Sequence, residues 1–236
     1  MYIIFSPTKL MNLEDTLHVK ESYRFKEQTD TILNYFYDMD MKQIGEILDL
    51  RSSQMAHQVY SYYHSFNIRN HPLFLYQGQS FKQLEFDAYT DDEFSYVNEH
   101  LRILSALYGV LKPFDVVFPY RLDFKSKIKY DLKKYWRDII NYDLAFSKVI
   151  INLASTEFSS LVTHDNMINI KFYQLYGTEY KMASALVKQA RGKYLDWMIK
   201  NKITPDRLTE FSEGGYLFSE KDSDSHNLVF KTLNSR

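Results

Sequence analysis

Two short, strongly apolar segments, each followed at once by a serine, place the tightest limit on how this chain can fold. Residues 2–5 read Tyr-Ile-Ile-Phe and precede Ser6, and residues 149–154 read Val-Ile-Ile-Asn-Leu-Ala and precede Ser155. Short runs rich in β-branched side chains predict buried strands rather than core helices. Because ligand sites of α/β proteins commonly lie beyond the carboxyl ends of strands, both serines are candidate site residues.

Helical patterns lie between the predicted strands. Residues 91–108 show the best-defined helix, with Thr90 and Glu93 spaced as a capping box and Gly109 placed to end it. No linker, repeat or low-complexity tract divides the chain, so we predict a mixed α/β fold with one domain over residues 1–236. The other predicted helices are 30–37, 41–50, 54–64 and 181–202, and the other predicted strands are 72–76, 167–172, 215–218 and 228–230.

Composition excludes several classes of function. The 236 residues contain no cysteine, which removes disulfides, thiolate metal sites and cysteine nucleophiles. The motifs H-E-x-x-H, G-x-x-x-x-G-K-[ST] and G-x-G-x-x-G do not occur, so we expect no metal, no cofactor and none of the standard nucleotide-binding folds. No segment is typical of a signal peptide or a membrane span, so we expect a cytoplasmic protein without a membrane partner.

The segments that follow the two strands carry polar side chains suited to binding or acid–base chemistry. Ser6–Lys9 presents a hydroxyl and an ammonium group after the first strand, although the same residues would also suit a simple turn. Ser155 could cap a following helix, and a capping hydroxyl with the free N–H groups of a helix forms an anion site. Glu157 would then be the nearby acid.

The predicted helix 181–202 has one broad apolar face and a narrow basic arc opposite to it. Lys188 and Arg191 belong to the arc and would suit an anion, although an ordinary solvated face has the same pattern. Gly192 borders the arc. Because a glycine inside a helix costs roughly 1 kcal/mol relative to alanine, it indicates close approach of a ligand or of a second backbone. Trp197 lies on the apolar face and is predicted to be buried.

The most informative stretch comprises residues 100–115 with 119–123. It carries charged and aromatic side chains on Pro-punctuated backbone, where function tends to concentrate. It resembles the H-L-R-x-L-S-G-L-Y-G-V-L-R-P-x-D…P-Y-R-L signature of the YaaA family of bacterial peroxide-stress proteins. Residues 6–9, 150–158, 187–192, 211–218 and 228–231 resemble that family's S-P-A-K, V-I-N-L-A-S-x-E-Y, A-K-x-A-R-G, F-N-S-E-G-Y-F-F and L-V-F-K motifs.

This resemblance implies a fold, a function and a local element. The fold would be a compact single-domain α/β structure with a central mixed sheet, surrounding helices and a positively charged cleft. The function would be DNA binding in the response to peroxide and oxidative stress. The element would be a helix-hairpin-helix at the turn formed by residues 107–110, where Ala106 replaces a family glycine. Near the C-terminus, Gly214 replaces a family glutamate.

Two functional hypotheses follow. In the first, basic side chains converge on the phosphates of duplex or branched DNA with little sequence specificity, while Tyr108 and Tyr120 stack on exposed bases. In the second, an enzyme acts on a small phosphorylated or nucleotide-like substrate, and Ser6, Ser155 and Glu157 orient it or transfer protons. No established catalytic motif decides between them, and a purely structural protein would leave the basic motifs unexplained. The anion-binding candidates are Lys9, Arg102, Lys112, Tyr120, Arg121, Lys188 and Arg191. One concave site is expected to be lined by Ser6, Lys9, Arg102, Tyr120, Arg121, Ser155, Glu157 and Arg191.

Overall fold

A sheet of mixed strand direction organises the computed structural model, which describes residues 1–14, 17–64 and 68–232. The strands found in these residues are β1 (Tyr2–Phe5), β2 (Leu101–Ser105), β3 (Gly109–Leu111), β4 (Ile150–Asn152), β5 (Met167–Tyr176), β6 (Glu179–Lys181), β7 (Tyr216–Phe218) and β8 (Asn227–Thr232). They pair in the order β3-β2-β1-β4-β5-β8-β7, with β6 added to β5. The predicted mixed α/β class with a mixed sheet is confirmed.

Strand β1 is the point at which the order of the strands in the sheet reverses. This strand lies between β2 and β4 and is parallel to both. The pairs β4–β5 and β5–β8 are also parallel, whereas β2–β3, β5–β6 and β7–β8 are antiparallel. In open α/β sheets the crevice beyond the carboxyl ends of the strands at such a switch point is the usual ligand site. Ser6 and Ser155 follow β1 and β4 and therefore stand at this crevice.

Helices connect the strands. Their bounds are α1 (Lys26–Tyr37), α2 (Met41–Ile47), α3 (Ser53–His64), α4 (Pro72–Leu75), α5 (Asp91–His100), α6 (Leu132–Leu144), α7 (Thr156–Ser159) and α8 (Ser184–Lys200). The capping box predicted at Thr90 and Glu93 is present at the start of α5. Within the described part of the chain, no helix combines the length and the apolarity that a bilayer crossing requires.

Most elements predicted from the sequence occur where they were expected. The strands predicted at 2–5, 149–154, 167–172, 215–218 and 228–230 correspond to β1, β4, β5, β7 and β8. The helices predicted at 30–37, 41–50 and 54–64 correspond to α1, α2 and α3. The helix predicted at 181–202 is confirmed as α8, although it begins only at Ser184 because the preceding residues form β6.

The helix predicted at residues 91–108 is wrong in its second half. It ends at His100, and Leu101–Ser105 continues as β2, in which every residue is buried. A strand buried on both faces shows no alternation of polar and apolar residues, so its pattern cannot be told from that of a buried helix. This region is therefore a turn between the two strands β2 and β3 and not a turn between two helices. The prediction of a helix-hairpin-helix at residues 107–110 is also wrong.

The strand predicted at residues 72–76 is a short helix, α4. Pro72 stands at its first turn, a position where proline is favoured because its missing N–H would have no partner inside the helix.

Helix α8 packs closely against the segment that contains Ser80. A Cβ atom at Gly192 would lie 2.1 Å from the Ser80 carbonyl oxygen, so only glycine permits this approach. The close approach indicated by this glycine is thus made by a second backbone. Trp197, on the opposite side of α8, is 8% exposed and packs against Tyr194 and Phe211, as its predicted burial requires.

We expect Gly192→Ala to destabilise the protein by about 1–3 kcal/mol, because the new methyl group forces two backbones apart. This outcome opposes helix propensity, by which alanine would stabilise a helix by about 1 kcal/mol. Gly45→Ala in α2 is the matched control, since the nearest atom to its new Cβ is Ala56 Cβ at 3.5 Å, an ordinary contact. Urea denaturation should show opposite signs for the two substitutions. A stabilised Gly192→Ala protein would contradict the close approach.

Candidate functional site

A cavity of about 580 Å³ opens at the carboxyl ends of β1 and β4, and we call it the strand-end cavity. Its wall combines the loop after β1, residues 77–82, residues 120–125, the residues after β4 and one side of α8. Segments distant in sequence thus meet at the switch point of the sheet. The predicted site residues that line it are Ser6, Lys9, Tyr120, Arg121, Ser155, Glu157, Lys188 and Arg191.

The two serines join the ends of β1 and β4. The Ser155 backbone N–H donates a hydrogen bond of 2.8 Å to Ser6 Oγ, and Ser6 Oγ donates one of 3.3 Å to Ser155 Oγ. The predicted helix cap is wrong, because α7 has four residues and the Ser155 side chain makes no capping hydrogen bond. In the described structure the Ser155 hydroxyl proton has no acceptor, so it is available to a ligand.

Two of the basic residues at the cavity are paired with carboxylates. Lys9 Nζ lies 2.5 Å from Asp123 Oδ2, and Lys125 Nζ lies 3.3 Å from Glu157 Oε2. Burial opposes ionisation of Asp123, but the hydrogen bond and the charge of Lys9 outweigh it and hold the pKa of Asp123 below its ordinary value. The Lys9–Asp123 pair joins the loop after β1 to residues 123–125, and the Lys125–Glu157 pair joins those residues to the segment after β4. In each pair the opposite charges cancel.

The stability contributed by the Lys9–Asp123 pair should disappear in acid. For a carboxyl group whose pKa is lower in the folded than in the unfolded state, stabilisation is complete above the unfolded pKa, near 4, and is lost as pH falls through the folded pKa. We therefore expect Asp123→Asn to lower the free energy of unfolding equally at pH 7 and pH 5, and less below about pH 4. Because Lys9 is 57% exposed, the difference should stay below about 1 kcal/mol. Urea denaturation of both proteins between pH 7 and pH 3 measures this, and a difference that grows toward acid would contradict it.

The remaining basic residues of the cavity have no carboxylate partner. Within residues 1–14, 17–64 and 68–232, no ion pair is formed by Lys82, Arg121, Lys188 or Arg191. Arg191 is the most unusual, because its Nε is buried and has no hydrogen-bond partner. Burial lowers the pKa of its guanidinium group. A half-buried cation with an unpartnered buried N–H group is costly for a folded protein, so this arrangement indicates a place for an anion.

Several residues of the cavity were missed from the sequence. Ser80, Lys82, Asp123 and Lys125 line the cavity but are not among the site residues that the sequence predicts. Thr8 accepts a hydrogen bond of 3.1 Å from the Gly78 N–H and so attaches the loop after β1 to the segment that contains Ser80 and Lys82. Gly78 was the available signal, because a glycine between polar residues marks a turn or a close approach of the backbone.

The two tyrosines expected to stack on bases are core residues, so that prediction is wrong. Tyr108 is 0% exposed and Tyr120 is 3% exposed. The Tyr108 hydroxyl donates to the Phe118 carbonyl oxygen, while the Tyr120 hydroxyl lies 2.8 Å from Ser105 Oγ and 3.0 Å from the Tyr76 hydroxyl. Burial raises the pKa of Tyr120 to about 12. Tyr120 is thus a buried part of the cavity wall, and Tyr108 packs against its ring from the core.

Arg102 and Lys112 do not lie at the strand-end cavity, and the prediction that they would converge with the other cations is wrong. Both line a separate cavity with which the strand-end cavity shares no residue. The Arg102 guanidinium group lies over the Tyr2 ring, at this separate cavity rather than at the strand ends. Among the described residues, no group of three histidine, aspartate or glutamate side chains is arranged to hold a metal ion.

Comparison with known proteins shows a match along nearly the whole chain. Residues 1–222 match the family described as peroxide stress protein YaaA. A UPF0246 protein of Legionella pneumophila is 33% identical over 254 residues, covering 98% of each chain. A UPF0246 protein of Lactobacillus johnsonii is 32% identical, covering 98% of this chain and 97% of the relative. A UPF0246 protein of Fusobacterium nucleatum is 31% identical, with full coverage of both.

Proposed function

The chain belongs to the family of the peroxide stress protein YaaA, and from this premise we propose that it acts in the stress response by binding DNA phosphates in the strand-end cavity. The observation that carries the proposal is the set of unpaired cations there. Lys82, Arg121, Lys188 and Arg191 line one cavity, and none of them has a carboxylate partner among the described residues. Phosphate oxygens supply the negative charge and the hydrogen-bond acceptors that these groups lack.

The geometry favours contacts to the sugar-phosphate backbone over reading of bases. Lysine and arginine contacts to phosphates position nucleic acid but carry no sequence information. Tyr108 and Tyr120 are buried and cannot stack on bases. A volume of about 580 Å³ is too small to enclose an intact double helix, so the cations of the cavity would contact successive phosphates of an exposed strand. We therefore propose low sequence specificity, and at least as high an affinity for branched or frayed DNA, which presents strand ends, as for a duplex.

Salt dependence tests this proposal. If the four unpaired cations each neutralise one phosphate, the logarithm of the association constant should fall with the logarithm of salt concentration with a slope of about −3 to −4. Fluorescence anisotropy with a labelled duplex and a labelled four-way junction measures the slope, and two unrelated duplexes of equal length measure specificity. A dissociation constant independent of salt, or discrimination of several kcal/mol between the duplexes, would refute DNA-backbone binding.

A second candidate is an enzyme acting on a small phosphorylated or nucleotide-like substrate. The observation favouring it is the Ser6–Ser155 pair at the switch point, where an uncommitted hydroxyl proton of Ser155 stands beside the unpaired cations. Arg191 would hold the phosphate, Ser155 would donate to a substrate oxygen, and Glu157 would act as the acid or base after leaving Lys125.

Competition separates the two candidates. In the DNA proposal, a mononucleotide displaces labelled DNA only at millimolar concentration, because it offers one of the several phosphate contacts. In the enzyme proposal, it displaces DNA at micromolar concentration and is converted to a product visible by phosphorus NMR. Conversion that is lost in Ser155→Ala, while mononucleotide binding is retained, would favour the enzyme.

A further inference from the structure

A second cavity, of about 340 Å³, is lined by side chains of β2, β3 and α6 and by residues 22–24. We call it the α6 cavity, and its charged lining residues are Arg24, Arg102, Lys112, Asp115 and Asp143. It has no lining residue in common with the strand-end cavity. Nothing in the proposed DNA contacts uses these side chains, so their charges require a separate explanation.

Arg102 is the most deeply buried cation of this cavity. The residue is only 5% exposed, and its guanidinium group lies over the Tyr2 ring at 4.0 Å from the ring centre. Its Nη1 donates a hydrogen bond of 2.8 Å to the Leu101 carbonyl oxygen. In the part of the chain that the structure describes, no carboxylate lies within ion-pair distance of Arg102. The protein thus orients a buried cation with a ring and a carbonyl group, and Asp115 attracts this cation without forming an ion pair with it.

The other charges of the cavity compensate this cation only in part. Asp143 is 3% exposed and is paired with Arg24, so these two cancel. Asp115 accepts a hydrogen bond of 2.9 Å from the Lys112 backbone N–H. Neither the Asp115 carboxylate nor the Lys112 ammonium group forms an ion pair with a described residue. The cavity therefore holds three cations and two carboxylates, an excess of one positive charge.

We propose that the α6 cavity is a second ligand site, which binds a small hydroxylated oxyanion, a phosphate monoester or a carboxylate, through Arg102 and Lys112. The planar guanidinium group, held by Tyr2, offers its remaining N–H groups to the oxyanion. Asp115 accepts a hydrogen bond from a hydroxyl group of the same ligand. The volume of about 340 Å³ holds a molecule of a few carbon atoms and excludes a nucleic acid strand. This proposal is independent of DNA binding.

The test uses glycerol 3-phosphate and glycerate as probes, measured by isothermal titration calorimetry. Because phosphate can also enter the strand-end cavity, the parent protein carries Arg191→Met. We expect the parent to bind at least one probe, and addition of Lys112→Met to weaken that binding about tenfold, the loss of one charge-assisted contact. Lys26→Met is the matched control, because it removes a charge 5.5 Å from the Tyr23 ring without altering the cavity lining. The parent protein with Lys26→Met added should bind the probe as tightly as the parent does.

Arg102 provides a second, deeper variant. Arg102→Lys keeps the charge but removes the planar group, so we expect the affinity for the same probe to fall at least tenfold. The far-ultraviolet circular dichroism should stay unchanged. The probe that binds more tightly identifies the oxyanion. Absence of binding in the parent, or equal affinity in the parent and in the Lys112→Met protein, would overturn the proposal. DNA affinity of Lys112→Met in an otherwise native chain should be unchanged, which separates failure of this proposal from failure of DNA binding.

Discussion

Replacing Arg191 by methionine is expected to weaken DNA binding by about 10- to 100-fold and to leave the free protein at least as stable as before. The loss corresponds to one charge-assisted hydrogen-bonded contact, about 1.5–3 kcal/mol. The stability follows from the state of the side chain, whose buried Nε has no partner and whose pKa is lowered by burial alone. Methionine fills a similar volume without the penalty of burying a charge.

The control for this prediction lies on the same helix. Lys193→Met removes one positive charge from α8, but Lys193 lines a different cavity. Its effect on DNA affinity should be about twofold or less, because it acts only through long-range attraction that salt screens. Anisotropy titrations and thermal denaturation of both variants are required together. A lower melting temperature for Arg191→Met with unchanged DNA affinity would show that Arg191 is structural and would remove the main support for the anion site.

Replacing Trp136 by alanine is expected to lower the free energy of unfolding by about 3–5 kcal/mol. Trp136 on α6 is fully buried, and its Nε1 donates a hydrogen bond of 2.8 Å to the Ala106 carbonyl oxygen. Its ring also lies against Gly109, where an added Cβ atom would come within 2.5 Å of the indole. Gly109 has a φ of 73°, which favours glycine. The indole therefore holds the β2–β3 turn through both packing and a hydrogen bond.

Two further variants separate these contributions. Trp136→Phe keeps an aromatic ring but leaves the Ala106 carbonyl group without its partner, so we expect a loss of about 1–3 kcal/mol. Tyr142→Ala on the same helix removes a ring that is 71% exposed, and it should change stability by less than about 0.5 kcal/mol. Urea denaturation gives all three values. Equal losses for Trp136→Ala and Tyr142→Ala would contradict the packing of α6 on the turn.

Elements whose structure depends on neighbouring residues in the chain were predictable from the sequence, whereas elements whose structure depends on distant residues were not. The strands at 2–5 and 149–154 were predictable because a short β-branched run followed by a polar turn is itself a local signal. Residues 101–105 were not, because a strand buried on both faces has the same apolar composition as the core of a helix. Only pairing with β1 makes this segment a strand.

The same distinction applies to the candidate site. The position of Ser6, Lys9 and Ser155 after strands was readable from the sequence and correctly indicated one crevice. The pairing of Lys9 with Asp123 was not readable, because the two residues meet only when the strand ends converge. The placement of Arg102 at a second cavity likewise depends on tertiary packing, which brings residues 22–24 and Asp143 of α6 to the same cavity.

Short-range patterns of side chains are sufficient to identify the family, the mixed α/β class and most of the strands and helices. Which cations are neutralised and which remain unpaired depends instead on contacts between residues far apart in the chain. Lys9 and Lys125 pair with carboxylates, whereas Arg191 forms no ion pair with a described residue. Its Nε is buried on α8, next to Gly192, where the helix packs against Ser80. Charge interactions act over a few ångströms in space, so chain order does not reveal whether a cation is neutralised within the fold or left for a ligand.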